Sequence, residues 1–134
     1  MNTYNINDTE FLNSALYRDF IKENPGLGRL SVRAYTASSA LPIKGLNLEV
    51  STIFNNNKIV VFDGVTDESG TVDNISLPAP IYDENNLVSP MKIVYNLKST
   101  YKPFDFIKDY SINVFDGISV MQTIAVNDNG MEAL

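Results

Sequence analysis

Carboxylates, lysines, tyrosines and hydroxyls are the side chains of this sequence that could do chemistry, because it contains no histidine and no cysteine. Those two absences remove the serine–histidine triad, the histidine general base, the thiolate nucleophile, disulfides and almost all zinc sites. Asp63, Asp67, Glu68 and Asp73 fall close together, and oxygen ligands at that density suit a calcium ion. Their spacing is not that of a known calcium loop, and an Asx turn accounts for Asp67 and Gly70 without a metal. Two carboxylates flanking a sugar would run glycoside hydrolysis, but the acids here are scattered over turns. Tyr82, Tyr95, Tyr101 and Tyr110 could stack on sugar rings, although tyrosines in strands more often serve packing. The expectation is a protein that is not an enzyme and acts by contact, with no catalytic residue, cofactor or metal ligand assigned.

The elements that would position these residues are mostly strands. Leu30, Val32 and Ala34 alternate with Arg29, Ser31, Arg33 and Tyr35, and Leu46, Leu48 and Val50 alternate with Asn47, Glu49 and Ser51. Period-two alternation buries one face of a strand and wets the other. Strands are expected over 27–37, 45–54, 58–62, 71–77, 91–98, 106–115 and 119–126. Asn55–Asn56–Asn57, Asp67–Gly70 and Asp116–Gly117 supply turn chemistry between them, the last as a hairpin. Pro78 and Pro80 are expected to end pairing, since proline has no N–H. The run 59–62 is apolar on both faces, which suits a central or covered strand. Val61–Gly64 and Val114–Gly117 share the residues VFDG and read as two similar strand ends.

Ahead of the strands, Asp8 or Thr9 can cap a single helix ended by Asn24–Pro25–Gly26. Leu12, Leu16 and Phe20 form an i, i+4, i+8 row with Phe11 and Ala15 beside it. Tyr17 and Ile21 lie off that face. The chain then divides into an arm and amphipathic helix over 1–27, a β-sandwich over 28–126 and a polar tail over 127–134. The fold class is all-β: a seven-stranded antiparallel Greek-key sandwich preceded by one N-terminal α-helix.

Bulk properties narrow the partners. The 134 residues suffice for one domain with its own core. A net charge of −6 without a basic run argues against nucleic acid and against an anionic membrane surface. The first residues, MNTYNINDTE, show neither a basic segment nor an apolar one. No stretch of about 18 apolar residues occurs, so membrane insertion is not expected. The expectation is synthesis in a cytoplasm without a signal peptide.

Several runs carry a resemblance: Gly28-x-Leu30-x-Val32; Ala40-Leu41-Pro42-Ile43-Lys44-Gly45-Leu46-x-Leu48-x-Val50; Thr66-Asp67-x-x-Gly70; and Ile75-x-Leu77-Pro78-Ala79-Pro80. Over about residues 28–126 the chain resembles the transthyretin-like domain. That class includes carboxypeptidase regulatory-like domains and collagen-adhesin B-type repeats. Residues 110–126 look like the ending of versions in Gram-positive cell-wall, spore and phage-associated proteins. The class often carries a Lys–Asn isopeptide, but the first strand here offers Arg29 and Arg33 and no lysine, so none is expected. No catalytic domain is expected alongside these residues. The motifs are turn and core signals, so they speak to fold more than to function.

The functional expectation is a non-catalytic structural or docking module, a component of a phage tail, baseplate or related contractile particle of a low-GC Gram-positive host. Its partners would be other structural proteins, engaged by Phe11, Leu16, Tyr17 and Ile21 of the helix and by Tyr82, Asp83, Glu84, Asn85, Tyr101 and Phe104 of the loops. The alternative is a module binding carbohydrate or cell wall, a cell-surface glycan lying on exposed tyrosines of the 81–87 loop and the strands. The corresponding locations are a virion or particle, or the cell wall.

Overall fold

In the computed structural model, which describes residues 1–88 and 90–127, the chain is a two-layer β-sandwich with its N-terminal helices packed on the core. The elements are β1 (Thr3–Asn5), α1 (Thr9–Leu12), α2 (Ala15–Glu23), β2 (Gly26–Thr36), β3 (Asn47–Phe54), β4 (Asn57–Val65), β5 (Thr71–Ala79), β6 (Ile93–Tyr101), β7 (Phe106–Val114) and β8 (Ser119–Val126). One sheet has the order β1-β4-β3-β6-β7 and the other β5-β2-β8. The all-β sandwich behind a helix is therefore present, with eight strands where the alternation predicts seven. The eighth is β1, in the stretch read as an arm; three residues are too few for a periodic signal. No helix among the described residues is long and apolar enough to cross a membrane.

Two pairings are parallel. β1 runs parallel to β4, and β2 runs parallel to β8 from Arg29↔Ser119 to Thr36↔Val126. Consequently Asp116–Gly117 is not the expected hairpin: β7 and β8 lie in different sheets, and the turn carries the chain between layers. Gly117 has φ 74°, a conformation that both kinds of turn take from glycine. The other Asp–Gly pair lies inside β4, where Asp63 pairs Glu49 and Gly64 pairs Leu48. The VFDG repeat is thus a strand interior once and a corner once, not two strand ends.

Pro78 does not end pairing either. It sits opposite Leu27, and β5 continues to Ala79. β5 is an edge strand, where a missing N–H can face solvent at no cost. The β3–β4 hairpin turns on Asn55 and Asn56 alone, at φ 47° and 62°, with Asn57 already in β4. Asparagine tolerates this left-handed backbone better than most residues. Between β2 and β3, Pro42 bridges Tyr35 and Ile43 enters the core.

The predicted single helix is two. Asp8 caps α1, its carboxylate accepting from Glu10 N at 3.0 Å. Ser14 is extended (φ −85°, ψ 158°) and caps α2 by accepting from Tyr17 N. This extended residue changes the helical phase, so the i, i+4, i+8 row cannot run through it. Phe11 and Phe20 are buried, while Leu12 and Ala15 are exposed.

The core between the layers is built from Leu30, Val32 and Ala34 of β2, Leu48 and Val50 of β3, and Leu97 of β6, with Phe11 and Phe20 in the same cluster. Segment 1–27 thus shares one core with the strands. Of the tail over 127–134, residues 128–134 lie outside the described residues.

Candidate functional site

Strand β5 leaves the three-stranded sheet at Ala79 and β6 enters the five-stranded sheet at Ile93. The connection between them is the longest in the described chain. Its interior is organised by Asx turns. Asp83 Oδ1 accepts from Asn85 N at 2.9 Å, and Asn86 Oδ1 accepts from Val88 N at 3.2 Å. Asp83 and Asn86 therefore shape the loop by bonding to nearby backbone.

The apolar residues of this loop are displayed. Leu87 is 87% exposed and Val88 88%, with Ile81, Tyr82 and Met91 about half exposed. Sequence reading picked out Tyr82, Asp83, Glu84 and Asn85, which are all exposed, and passed over Leu87, Val88 and Met91. Nothing local marks these three, because an apolar residue beside a strand looks like a core residue until the fold shows that no described residue covers it.

A recess of about 430 Å³ lies at the base of the loop, lined by Asn24, Ile53, Phe54, Pro80, Pro90 and Ile93 among others. Three elements meet there: the C-terminal end of α2, the β3–β4 hairpin and both ends of the loop. Phe20 of α2 reaches Phe54 of the hairpin, with ring centroids 5.4 Å apart in an edge-to-face contact. The helix thereby braces the recess from inside.

The helix residues expected to meet a partner are placed differently. Phe11 is 2% exposed, stacked on Tyr4 at 5.1 Å and edge-on to Tyr17 at 5.3 Å. Its side chain belongs to the core, which corrects its assignment as a contact residue. Leu16, Tyr17 and Ile21 are half-buried against the same core. Tyr101 and Phe104 form an edge-to-face pair at 5.2 Å, also half-buried on the core. They lie at the far end of β6 from the 81–91 loop, eight residue steps or about 27 Å away at roughly 3.4 Å per residue. The two groups of expected loop contacts therefore sit at opposite ends of the sandwich.

The four tyrosines considered for glycan stacking differ in exposure. Tyr95 is fully buried and Tyr101 and Tyr110 are half-buried, leaving Tyr82 as the exposed one of the four. Burial raises the pKa of the Tyr95 phenol far above its ordinary value, and burial, with Tyr35 nearby, raises that of Tyr110. The four acids considered for calcium are also committed or apart. Asp67 accepts from Ser69 N and Thr71 N at 2.9 and 3.0 Å, while Asp63 accepts from Asn5 Nδ2 at 2.8 Å. Among the described residues no cluster of three or more acids could hold a metal ion. On the outer face of the five-stranded sheet, Lys58 pairs with Glu49 at 2.7 Å beside a shallow recess of about 490 Å³ that Glu49 and Asp63 help to line.

No protein-family model matches the chain, and no curated protein matches it. Solved structures do. Transthyretin from Sparus aurata aligns at 17% identity and a TM-score of 0.50, over 73% of this chain and 89% of that one. Sea bream transthyretin in complex with thyroxine aligns at 16% and 0.50, over 72% and 86%. The 5-hydroxyisourate hydrolase of Klebsiella pneumoniae aligns at 13% and 0.49, over 75% and 91%. At these identities the likeness is one of fold, and the fold of this chain is transthyretin-like.

Proposed function

We propose that this chain is a non-catalytic docking module of a larger protein assembly, and that it engages a structural partner through the apolar tip of the 81–91 loop and the recess beneath it. One observation carries the reading: Leu87 and Val88 stand almost fully exposed on an ordered set of Asx turns. Each forgoes roughly 1.5–3 kcal/mol of burial, and grouped exposed apolar side chains mark interaction sites. Asp83 and Glu84 beside them add a polar rim, the arrangement of a contact patch.

The absence of histidine and cysteine supports a non-catalytic role. The acidic chain without a basic run supports a protein partner over nucleic acid. The assembly we favour is a phage tail, baseplate or related contractile particle of a low-GC Gram-positive host. This rests on the resemblance of residues 110–126 and on the asparagine-rich sequence.

The test is size fractionation of lysate from cells that make the chain, comparing wild type with the double variant Leu87→Asp/Val88→Asp. Wild type is expected in a high-mass particle fraction. The variant is expected to leave that fraction while keeping its circular dichroism and thermal midpoint. Wild type running as a free small protein, or the variant entering particles equally well, defeats the reading. Sedimentation of both proteins with isolated cell wall would favour a glycan-binding role instead.

A further inference from the structure

The strand registers bring three features to one end of the sandwich. Gly26 lies opposite Ala79, Arg29 opposite Ser119 and Ile93 opposite Val114. The β5–β6 loop, the recess at its base and the β7–β8 corner therefore share that end. Most of the large apolar side chains that the described chain exposes stand there, with Leu27, Phe115 and Ile118 at the corner and Leu87 and Val88 at the loop tip. Asp116 of the corner bonds to the backbone of Leu27, which follows closely on Asn24 of the recess wall.

This end carries a projection and a hollow side by side. The tip, Asn85–Asn86–Leu87–Val88, is uncharged and exposed. Leu87 and Val88 are too exposed to be folded back into their own recess. The hollow has a volume of about 430 Å³ and walls that include Ile53, Phe54, Pro80, Pro90 and Ile93. It is mainly apolar, and it is ample for one leucine and one valine side chain. Its rim also includes Glu23 and Lys92, one charge of each sign.

We propose that the structural partner is a second copy of this chain, and that the Leu87–Val88 tip of each copy enters the recess of the other across a two-fold axis. This rests on the reading of the loop tip as a contact surface and names what covers it. Shape selects the occupant. A two-fold interface sets one patch against itself. A patch that holds a projection beside a hollow meets that condition when the axis passes between them: both tips leave water and both hollows are filled in one step. A foreign partner would have to supply its own projection and its own hollow at the same spacing. Electrostatics permit the contact despite the net charge of −6, because the tip carries no charge into the hollow and the rim presents both signs.

Sedimentation velocity over a dilution series of the full chain tests this. Wild type is expected to form a dimer that dissociates on dilution and grows no further. Leu87→Asp/Val88→Asp charges both tips, and Ile53→Lys charges both hollows at an exposed side chain. Each is expected to raise the dissociation constant roughly tenfold or more with circular dichroism unchanged. Mixed one to one, the two variants are expected to bind each other more tightly than either binds itself, because the intact tip of one still fits the intact hollow of the other. A contact of tip against tip, or of corner against corner, does not give that rescue. A monomer at every concentration overturns the proposal. So does open-ended growth, a dimer indifferent to either variant, or a mixture no tighter than its parts. Fractionation of lysate separates this from failure of the docking-module reading: a chain that is monomeric when pure and still enters particles through its loop tip defeats the second-copy inference alone.

Discussion

The Tyr95 hydroxyl, on β6 of the five-stranded sheet, donates to the carbonyl oxygen of Pro78, on β5 of the three-stranded sheet, at 2.6 Å. Tyr95 is otherwise a core residue, so the bond joins the two layers from inside. Its pKa is raised by burial, far above the ordinary 10.0. The neutral phenol is the folded form, and this stability is complete below pH 10.0 and drains away as pH rises toward the folded value. Tyr95→Phe keeps the packing and leaves the Pro78 carbonyl without its donor. Urea unfolding of that variant is expected to show a loss of about 1 kcal/mol and reduced sensitivity above pH 10.0.

The crossover between layers depends on close backbone approach. Asp116 Oδ1 accepts from Leu27 N at 3.0 Å, and Gly117 N donates to Leu27 O at 2.8 Å. A Cβ on Gly28 would lie 2.4 Å from Val114 Cγ1 and 2.7 Å from Phe115 O. Gly28→Ala is expected to destabilise by about 1–3 kcal/mol through overpacking, read as a lower thermal midpoint. A neutral outcome would show that β2 can move away from the β7–β8 corner.

Neighbouring residues of α1 separate core from surface. Phe11 is 2% exposed and Leu12 39%. Phe11→Ala is expected to cost about 3–5 kcal/mol, whereas Leu12→Ala is expected to stay within roughly 0.5 kcal/mol. Equal effects in denaturant unfolding would return Phe11 to the list of surface contacts.

Asp67 titrates below the ordinary carboxylate value of 3.8, chiefly because Thr71 N–H bonds to its charged form, with Ser69 N–H adding to this. A lowered pKa contributes stability that is complete above the unfolded value and is lost as pH falls through the folded one. The carboxyl carbon of Asp67 is expected to titrate by NMR with a midpoint under 3.8. Replacing Thr71 does not remove its N–H, so Thr71→Ala is expected to keep most of the shift. A midpoint at or above 3.8 in the wild type would mean that the loop does not hold Asp67 as described.

The sequence by itself determined what depends on neighbours along the chain. Alternation at Leu30, Val32 and Ala34 fixes which face of β2 is buried, because side chains flip every residue. Asp8 caps a helix, and Asn55–Asn56 and Gly70 turn the chain, because their backbone and short polar groups act locally. The tertiary structure alone decided what depends on distant partners. Asp116–Gly117 makes the same positive-φ turn in a hairpin or a crossover, so only the pairing of β8 with β2 across the sequence tells them apart. Phe11 and Leu12 are both apolar residues of α1, and only the core beneath them makes one structural. Leu87 and Val88 have the composition of buried residues. Their place in the candidate site exists because no other part of the described chain comes to cover them, and burial is a property of the whole fold, not of a segment.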